Sequence, residues 1–369
     1  ASFAQFDALA KAGNRMSVVF LGGSLTWGAN ASDPQRTSYR GRMEQYLRKK
    51  YPRSSFDFHD AAIGGTDSQL GMFRLERDVL AWNPNLVFLD FTANDDLTGR
   101  DIQHLAAYEC LLREMIGRGI PVVQVFFAFK WNFGEAYRPE TLFRYQDHRK
   151  LARAYGTAVG DSLPLVQQAI TTGRIQMNTF WPFDNSHPDD CGYELFFEAV
   201  RDGLEQAIAE KTTCTVPIKP VFSDVYMRRR RLELVDLPLP SGWRRAKTYR
   251  TSLWFDGLSS RWMGDVVVCD LKDRQILHPL EVTFQGTFVG LLGESDQDSL
   301  SFRIFIDGKA VLPPKGSPKD AWEVHTRPFG GGRLFFWRVL SRDLPPGRHI
   351  LRIEPILPST ATKGQLRIA

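Results

Sequence analysis

The sequence has 369 residues, of which 43% are hydrophobic, and a formal net charge of +5. This length favours two domains over one, and the apolar share is sufficient for buried cores. No apolar run reaches the roughly eighteen residues that cross a membrane. The one dense basic run, RRRR at 228–231, lies between apolar segments, where a solvated strand or linker face is more common than a nucleic-acid patch. The composition therefore indicates neither a membrane-spanning protein nor a nucleic-acid-binding one.

The first half of the chain alternates short apolar runs with amphipathic stretches. Four runs rich in Val, Phe, Leu and Ile predict buried strands: MSVVFLGG at 16–23, FDFHDAAIGG at 56–65, NLVFLDFTAND within 83–95 and IPVVQVFFAF at 120–129. Other stretches carry apolar residues at helical spacing and predict helices at 38–51, 69–82, 101–116, 139–155 and 192–208. This alternation predicts an α/β domain whose parallel sheet is covered on both faces.

From about Thr213 the pattern changes, because prolines become frequent and helical periodicity disappears. Short apolar runs predict strands at 265–271, 280–293, 301–309, 333–340 and 348–356. Turn signals such as Asp307-Gly308 and Pro346-Gly347 separate these runs, as expected for an antiparallel β-sandwich. We therefore expect an α/β domain over 1–212, a connector over 213–260 and a β-sandwich over 261–369.

The cysteines and the first residue say little about the compartment. Four cysteines lie far apart and match no metal or redox spacing: Cys110, Cys191, Cys214 and Cys269. They neither demand nor exclude an oxidising environment. The sequence starts at Ala1, and either a removed leader or a trimmed chain would give that start.

Polar residues follow the first three predicted strands of the first half, where open α/β sheets bind their ligands. Gly22-Gly23-Ser24 follows the first strand, Gly65-Thr66-Asp67 the second and Asn94-Asp95 the third. A later loop carries Asp184 and His187. Since the carboxyl ends of parallel strands share one edge, we expect these groups to lie together.

This set of side chains suits acyl transfer. Ser24 becomes a nucleophile beside a base, and His187 can be that base. Asp184, three residues earlier, can orient the imidazole and stabilise its charged form. The tetrahedral oxyanion needs preorganised donors, which the amides of Ser24 and Gly65 and the side-chain NH2 of Asn94 would supply.

Each residue has an ordinary structural explanation when taken alone. Ser24 fits a helix N-cap, Gly65 and Asn94 fit tight turns, and His187 before proline fits a surface loop. All of these explanations would have to hold together for the catalytic interpretation to fail. A Gly-x-Ser-x-Gly elbow of the α/β-hydrolase kind is absent, because Thr26 occupies its last position.

A metal site is the other chemical interpretation of the late loop. Five ligand-type residues crowd that loop: Asp184, His187, Asp189, Asp190 and Cys191. Ligands so close in sequence rarely enclose one ion without a helical pair or distant partners. We therefore predict no metal and no other cofactor.

The four blocks resemble the SGNH, or GDSL-type, hydrolase superfamily, in which a Ser, a Gly, an Asn and a His from separate blocks form the active site. The resemblance covers residues 14–210 and carries these roles onto Ser24, Gly65, Asn94 and His187, with Asp184 completing a triad. It implies a flavodoxin-like parallel sheet. The sequence departs from the family pattern twice, and we expect both departures to reshape the pocket wall: Gly23 replaces an acidic residue, and Thr92 replaces a glycine.

The substrate is less clearly indicated. Trp27, Trp131 and Trp181 flank the site blocks, and their aromatic faces suit sugar rings as well as acyl chains. Asp67 is a further candidate substrate contact beside Gly65, although a surface ion pair would also explain it.

An SGNH domain followed by a jelly-roll-like β-domain resembles the layout of several carbohydrate esterases. The resemblance implies a serine esterase that removes acetyl or other short acyl groups from an oligo- or polysaccharide. A polymeric substrate favours a secreted or periplasmic setting, whereas trimming of imported oligosaccharides would place the enzyme in the cytoplasm. Two alternatives stay open at this stage. One is a lipolytic or broad small-ester hydrolase with a structural β-domain, and the other is a glycan-binding protein whose hydrolase half is inactive. The sequence does not identify the sugar, the acetylated position or the oligomeric state.

Overall fold

A computed structural model describes residues 1–249, 263–273, 277–314, 320–360 and 362–369. The chain divides into two compact units, Ala1–Arg230 and Arg231–Ala369. The predicted connector is shared between them: residues 213–230 belong to the first unit, residues 231–249 belong to the second, and 250–260 lie outside the described residues.

The first unit is built on a five-stranded parallel sheet with the order β2-β1-β3-β4-β5. Its strands are β1 (Arg15–Gly22), β2 (Ser55–Ala62), β3 (Leu86–Asp90), β4 (Val122–Phe126) and β5 (Ala158–Asp161). Its helices are α1 (Phe3–Lys11), α2 (Ser24–Trp27), α3 (Tyr39–Lys50), α4 (Ser68–Phe73), α5 (Leu75–Asp78), α6 (Ile102–Gly117), α7 (Phe143–Tyr155), α8 (Ser162–Thr171), α9 (Met177–Phe180) and α10 (Asp190–Ala209). The predicted α/β class and the flavodoxin-like strand order are confirmed. From β1 the next strand, β2, is added on one side and all later strands on the other, so the strand order reverses between β1 and β3, which is where such sheets bind ligands.

The central strands are buried along their whole length. Every residue of β3 (LVFLD) and of β4 (VVQVF) is buried, so both faces of the sheet are covered. Continuous apolar runs of this kind are typical of parallel strands in α/β proteins. No described helix is long and apolar enough to cross a bilayer.

The single helix expected over 69–82 is broken in the structure. It forms α4, α5 and a short 3-10 turn at Leu80–Trp82, because Arg74 leaves the helical conformation at φ −102°, ψ 1°. The Arg74 guanidinium is buried and donates to Ala61 O at 2.6 Å and Gly22 O at 3.2 Å. The helix is therefore interrupted where its arginine reaches the ends of β1 and β2. The pattern also missed α1, β5 and α8.

A buried carboxylate anchors the chain that follows α10. Glu109 of α6 is fully buried and accepts hydrogen bonds from the amides of Val221, Phe222 and Ser223 at 2.6–3.0 Å. The Tyr155 hydroxyl donates to the same carboxylate at 2.6 Å. These bonds hold residues 221–223 in the first unit.

The second unit is a sandwich of two antiparallel sheets, as predicted. One sheet has the order β11-β10-β13-β8 and the other the order β12-β9-β14-β7-β6. The strands are β6 (Trp243–Lys247), β7 (Asp265–Asp270), β8 (Leu280–Gln285), β9 (Val289–Ser295), β10 (Phe302–Ile306), β11 (Lys309–Val311), β12 (Leu334–Ser341), β13 (Arg348–Pro355) and β14 (Gln365–Ile368). Residues from both sheets, such as Ile304 and Phe336, form one apolar core.

One long predicted run divides between the two sheets of the second unit. The stretch 280–293 contains β8 and most of β9, which belong to different sheets. Gly286 lies between them at φ +155°, a backbone conformation that glycine adopts without steric cost. The glycine therefore marks the point where the chain crosses from one sheet to the other.

Candidate active site

Two glycines precede Ser24 because other groups approach the backbone closely there. A Cβ at Gly22 would lie 2.8 Å from Asp90 O and would also overlap the Thr26 side chain. A Cβ at Gly23 would lie 2.8 Å from Asn94 Oδ1. The end of β1 is thus packed directly against the end of β3 and the loop that follows it. Only residues without a Cβ fit at both positions.

Ser24, His187 and Asp184 form a continuous hydrogen-bonded chain. Ser24 lies at the start of α2, and its Oγ is 2.8 Å from His187 Nε2. The other ring nitrogen, Nδ1, is 2.9 Å from Asp184 Oδ2. Ser24 is 5% exposed and His187 is 8% exposed, so both lie in a largely desolvated setting that a small group can still reach. This is the geometry by which a base activates a serine hydroxyl.

The Asp184 carboxylate is held by four donors. Its Oδ1 accepts the amides of Ser186 and His187, both at 2.7 Å. Its Oδ2 accepts His187 Nδ1 and, at 3.0 Å, the Nδ2 of Asn30. Burial raises the pKa of Asp184, but the hydrogen bonds from His187 and Ser186 outweigh it, so the pKa lies below the ordinary value of 3.8. The carboxylate is therefore charged and fixed in orientation.

The loop after α2 is tied to the loop that carries the histidine. Besides the Asn30 bond, Asp190 Oδ1 accepts the amide of Ser32 at 2.8 Å and the hydroxyl of Thr37 at 2.7 Å. The Ser32 hydroxyl also contacts Asp190 Oδ2. Asn30 has a left-handed backbone at φ +66°, which asparagine tolerates better than most residues. These bonds fix the distance between the serine and histidine segments.

Gly65 lies in a turn that is attached to the end of β1. The amide of Ile63 donates to Gly22 O at 3.0 Å, and Thr66 closes the turn through hydrogen bonds to Ile63 O. Gly65 has φ +73° and is exposed, so a side chain there would strain the backbone. The turn that contains Gly65 is thus tied through Ile63 to Gly22, two residues before Ser24.

Asn94 brings its carboxamide to the same place from the third strand. The carboxamide lies against Gly23, directly before the nucleophile. Its Oδ1 is buried and has no hydrogen-bond partner within the described part of the chain. The amide group is thus held by packing at a point where its Nδ2–H2 can serve a ligand.

Two buried side chains hold the loop that follows Asn94. Asp95 Oδ1 accepts the amide of Ser68 at 2.8 Å, which joins this loop to the start of α4. Arg144 is fully buried and donates to Asp95 O at 3.2 Å and Asp101 O at 3.0 Å. Burial raises the pKa of Asp95 to about 7.

The two departures from the family pattern have different outcomes. Gly23 is the position against which Asn94 packs, so this departure does shape the site. Thr92 is fully buried, and its hydroxyl lies 3.0 Å from Nδ1 of the buried His148. Burial lowers the pKa of His148 well below its ordinary value. The expectation that Thr92 reshapes the pocket wall is therefore wrong, because its side chain points into the interior.

The four expected substrate contacts have unequal positions in the structure. Trp131 is exposed and Trp27 is half-buried. Asp67 caps α4 by accepting the amide of Leu70 at 2.8 Å, and its other oxygen lies 3.3 Å from His104 Nε2. Trp181 is only 2% exposed and packs against Phe180. Asp67 and Trp181 are thus engaged within the protein, which argues against their expected contact with substrate.

Nothing in the sequence marks Asn30 or Arg144 as a site residue, and Arg74 is expected there only as a substrate contact or a surface ion pair. Each one bonds to a group far away along the chain, and none of them belongs to a recognisable motif. The residues that crowd the late loop are used for hydrogen bonds within the protein, since Asp189 caps α10 and Asp190 binds Ser32 and Thr37. Among the described residues, no group of three or more His, Cys, Asp or Glu side chains could hold a metal ion.

Comparison with known proteins gives one family and a set of similar structures. Residues 20–195 match the GDSL-like lipase/acylhydrolase family. A two-domain esterase (CEX) active on acetylated mannans, co-crystallised with mannopentaose, matches with a TM-score of 0.75 at 20% identity, over 99% of this chain and 92% of that one. A second structure of CEX matches with a TM-score of 0.72 at 21% identity, over the same shares. No curated protein matches the sequence. The structural matches establish that the two-domain architecture is shared.

Proposed function

We propose, since residues 20–195 match the GDSL-like lipase/acylhydrolase family, that this protein is a serine esterase that removes acetyl groups from a carbohydrate. The observation that carries the proposal is the 2.8 Å contact between Ser24 Oγ and His187 Nε2, continued at 2.9 Å to Asp184. An intact chain of this kind argues against a hydrolase half that only binds glycan.

In the first half of the proposed reaction, Ser24 Oγ attacks the carbonyl carbon of the acetyl ester. His187 Nε2 takes the hydroxyl proton, and Asp184 stabilises the imidazolium through Nδ1. The carbonyl oxygen becomes an oxyanion, which the amides of Ser24 and Gly65 and the Nδ2 of Asn94 would bind. His187 then returns its proton to the leaving sugar oxygen. The ester C–O bond breaks, the sugar hydroxyl departs and acetyl-Ser24 remains.

In the second half, water replaces the sugar. His187 takes a proton from the water as its oxygen attacks the acetyl carbon, and the same donors stabilise the second oxyanion. Collapse of this intermediate breaks the bond to Ser24 Oγ, which regains a proton from His187. The products are acetic acid and the free enzyme. Because His187 must be unprotonated to act as a base, activity should rise with pH to a plateau.

The carbohydrate part of the proposal is supported by the shared architecture. CEX, which is active on acetylated mannans, matches this chain along 99% of its length, including the β-sandwich. The exposed indole of Trp131 also offers an aromatic face of the kind that sugar rings contact. Neither observation specifies which sugar or which acetylated hydroxyl is used.

Acetate release from acetylated mannan, xylan, pectin and sialosides tests the proposal directly. Wild type should release acetate from at least one of these, and Ser24→Ala should lose at least about 10³-fold in kcat. Ser17→Ala is the matched control, since Ser17 lies near the other end of β1 and its hydroxyl bonds to Trp82 O. It should keep wild-type activity.

Three results would contradict the proposal in different ways. Faster hydrolysis of long-chain esters than of any acetylated glycan would indicate a lipolytic or broad small-ester hydrolase. Glycan binding without hydrolysis of any ester would indicate a binding protein with an inactive hydrolase half. Activity that survives in Ser24→Ala would remove Ser24 from the reaction.

A further inference from the structure

Two large aromatic side chains lie in solvent beside the histidine loop. Phe183, which directly precedes Asp184, is 76% exposed. Trp131, on the neighbouring loop after β4, is 56% exposed. Exposing a ring of this size sacrifices much of the stabilisation that its burial would provide. Paired exposed rings at the edge of a site therefore call for an explanation by binding.

The two loops that carry these rings are joined by the backbone. The amide of Lys130, directly before Trp131, donates to the carbonyl oxygen of Asn185, two residues after Phe183, at 2.9 Å. Asn185 in turn follows Asp184, which is bonded to His187. This backbone bond thus joins the loop of Trp131 to the loop that carries Phe183, Asp184 and His187.

The loop of Trp131 is held in shape by its own contacts. Lys130–Asn132 forms a 3-10 turn, and the buried Asn132 Oδ1 accepts the amide of Phe129 at 3.1 Å. The rings of Phe129 and Trp131 are 4.8 Å apart between centroids. The indole is therefore presented on a built turn, and ordering it on a ligand would cost little further entropy.

The exposure of Phe183 does not result from a shortage of core. Trp181, two residues earlier, is 2% exposed and packs against Phe180 and Phe133. The same short segment thus buries one aromatic ring completely and leaves another outside. The exposed ring, that of Phe183, is the one directly before Asp184 along the chain.

We propose that Phe183 and Trp131 form a platform on which a pyranose ring of the oligosaccharide stacks, next to the sugar whose acetyl group reaches Ser24. The inference rests on the proposed function and names how the site holds its substrate. A pyranose presents C–H groups on its faces and hydroxyls at its edges. Its apolar face can cover an aromatic ring while its hydroxyls stay hydrated. A neutral oligosaccharide of pyranose units is the ligand that this surface fits.

The platform predicts a loss that depends on the size of the substrate. Phe183→Ala and Trp131→Ala should each lower kcat/KM on an acetylated oligosaccharide roughly tenfold, mainly through KM, because one stacked ring contributes about that factor in affinity. Both should stay within about twofold of wild type on vinyl acetate, which is too small to reach the platform. An aryl acetate is unsuitable because its own ring could stack there. Phe183→Trp, which keeps an aromatic ring at this position, should retain the activity on the oligosaccharide that Phe183→Ala loses.

A matched control uses an exposed tryptophan elsewhere. Trp82 is 50% exposed and stacks on His59, and it lies shortly before the amino end of β3, at the opposite edge of the sheet. Trp82→Ala should leave the kinetics on both substrates unchanged. Equal losses on the oligosaccharide and vinyl acetate in the Phe183 and Trp131 variants would indicate a distorted site and overturn the platform. Unchanged kinetics on both substrates would overturn it as well.

A binding measurement separates this inference from the proposed activity. Titration of deacetylated manno- and xylo-oligosaccharides into Ser24→Ala, followed by calorimetry, requires no catalysis. Binding to at least one of them that weakens roughly tenfold on adding Phe183→Ala supports the platform even if no acetylated glycan is hydrolysed. If neither oligosaccharide binds, or if both bind equally well after Phe183→Ala, the platform is wrong even if the esterase activity is real.

Discussion

The two units of this protein bury different kinds of side chain. The first unit encloses charged groups, among them Arg40, Arg74, Arg144, Asp95 and Glu109. The core of the second unit is a continuous apolar cluster, and its buried ion pair, Glu294 with Arg367, lies outside that cluster.

In the first unit the buried charges bind loop backbone around the candidate site. Arg74 holds Gly22 O and Ala61 O, which precede the turns of Ser24 and Gly65. Arg144 holds Asp95 O, directly after Asn94. Burying a charge is unfavourable unless it is fully hydrogen-bonded. A buried arginine therefore stabilises a loop only when the loop backbone supplies its hydrogen-bond acceptors. The contrast indicates that the first unit uses buried charge to position its loops, while the second relies on apolar packing.

The largest effect that tests this contrast is expected from Arg74→Met. Methionine keeps an apolar stem but leaves Gly22 O, Ala61 O and Asp78 without the guanidinium. The free energy of unfolding should fall by about 3 kcal/mol, since one partner of a buried ion pair is removed. kcat/KM should fall more than about 10²-fold, because small displacements of reacting groups have effects of that size. Urea denaturation and steady-state kinetics measure the two quantities.

Arg367→Met in the second unit is the matched control. Arg367 is equally buried, pairs with Glu294 and donates to Lys247 O at 2.6 Å. Its loss should destabilise the protein by a similar amount, about 3 kcal/mol, and leave kcat/KM unchanged. A large drop in kcat/KM for Arg367→Met, or none for Arg74→Met, would contradict the inference that buried charge positions the site loops in the first unit and has no such role in the second.

Gly23→Ala should affect activity far more than stability. The backbone at Gly23, φ −98° and ψ −151°, is extended and open to alanine, so the consequence comes from the new Cβ alone. That Cβ would lie 2.8 Å from Asn94 Oδ1 and push the carboxamide aside. Loss of one oxyanion donor should lower kcat about 10²-fold, measured under saturating substrate.

Gly290→Ala provides the reverse case in the second unit. A Cβ at Gly290 would meet the indole of Trp337. Overpacking of this kind destabilises by about 1–3 kcal/mol, and we expect no change in kcat. If Gly23→Ala costs mainly stability and spares kcat, Asn94 does not act through its position against Gly23.

The sequence predicted those parts of the site that follow strands. Ser24, Gly65 and Asn94 could be proposed because strand ends in a parallel sheet meet at one edge. In the structure Asn94 packs against Gly23, and the turn of Gly65 is bonded to Gly22 through Ile63. Most strands of the sheet carried a clear apolar run, but β5 has only four residues, AVGD, too few for a reliable pattern.

The supporting contacts could not be predicted, for two physical reasons. Asn30 and Asp184 are 154 residues apart, and Arg74 and Gly22 are 52 apart, so no local pattern records their pairing. Trp181 and Phe183 lie in an irregular loop, where side-chain direction has no period. The sequence therefore gave no means of deciding that Trp181 is buried and Phe183 exposed.

Asn30 tests whether the tie between the serine and histidine loops has a chemical consequence. Asn30→Gly tolerates the left-handed backbone but loses the bond to Asp184, and kcat/KM should fall about tenfold, as for a hydrogen bond to a charged group. Asn30→Asp places a second carboxylate beside Asp184. That charge stabilises the imidazolium, so the acidic limb of the pH–kcat/KM profile should move to higher pH.

The pH profile distinguishes positioning from a general structural role. A purely structural loss would lower activity equally at every pH in both variants and leave the limb where it is. Asn83→Gly is the control, since Asn83 is also left-handed at φ +45° but lies before β3, at the opposite edge of the sheet. It should leave both kcat/KM and the profile unchanged.

The smallest expected effect concerns pH-dependent stability around His104. Its Nδ1 lies 2.9 Å from Asp101 and its Nε2 3.3 Å from Asp67. Burial lowers the pKa of His104, but Asp67, Asp95 and Asp101 outweigh it and raise the pKa to about 9. A pKa above the unfolded value of about 6.5 means that the stabilisation is full below pH 6.5 and is lost as the pH rises through 9. Urea denaturation between pH 7.5 and 9.5 should show this fall, about 1–2 kcal/mol, and His104→Gln should remove it.

The range from pH 7.5 to 9.5 also distinguishes the contribution of His104 to stability from that of the buried carboxylates. Burial raises the pKa of Asp90 and of Asp95 to about 7, so their ionisation lowers the free energy of unfolding mainly between about pH 4 and 7 and adds little slope above pH 7.5. In the second unit, the hydrogen bond that His349 Nδ1 donates to Asp307 raises the pKa of His349. Because a single carboxylate faces His349, His349→Gln should leave most of the slope in place. The opposite result would be that His349→Gln removes the fall in the free energy of unfolding between pH 7.5 and 9.5 while His104→Gln leaves it in place. The pH-dependent part of the stability would then not come from the charged groups around His104, and the difference in buried charge between the units would not be reflected in their stability.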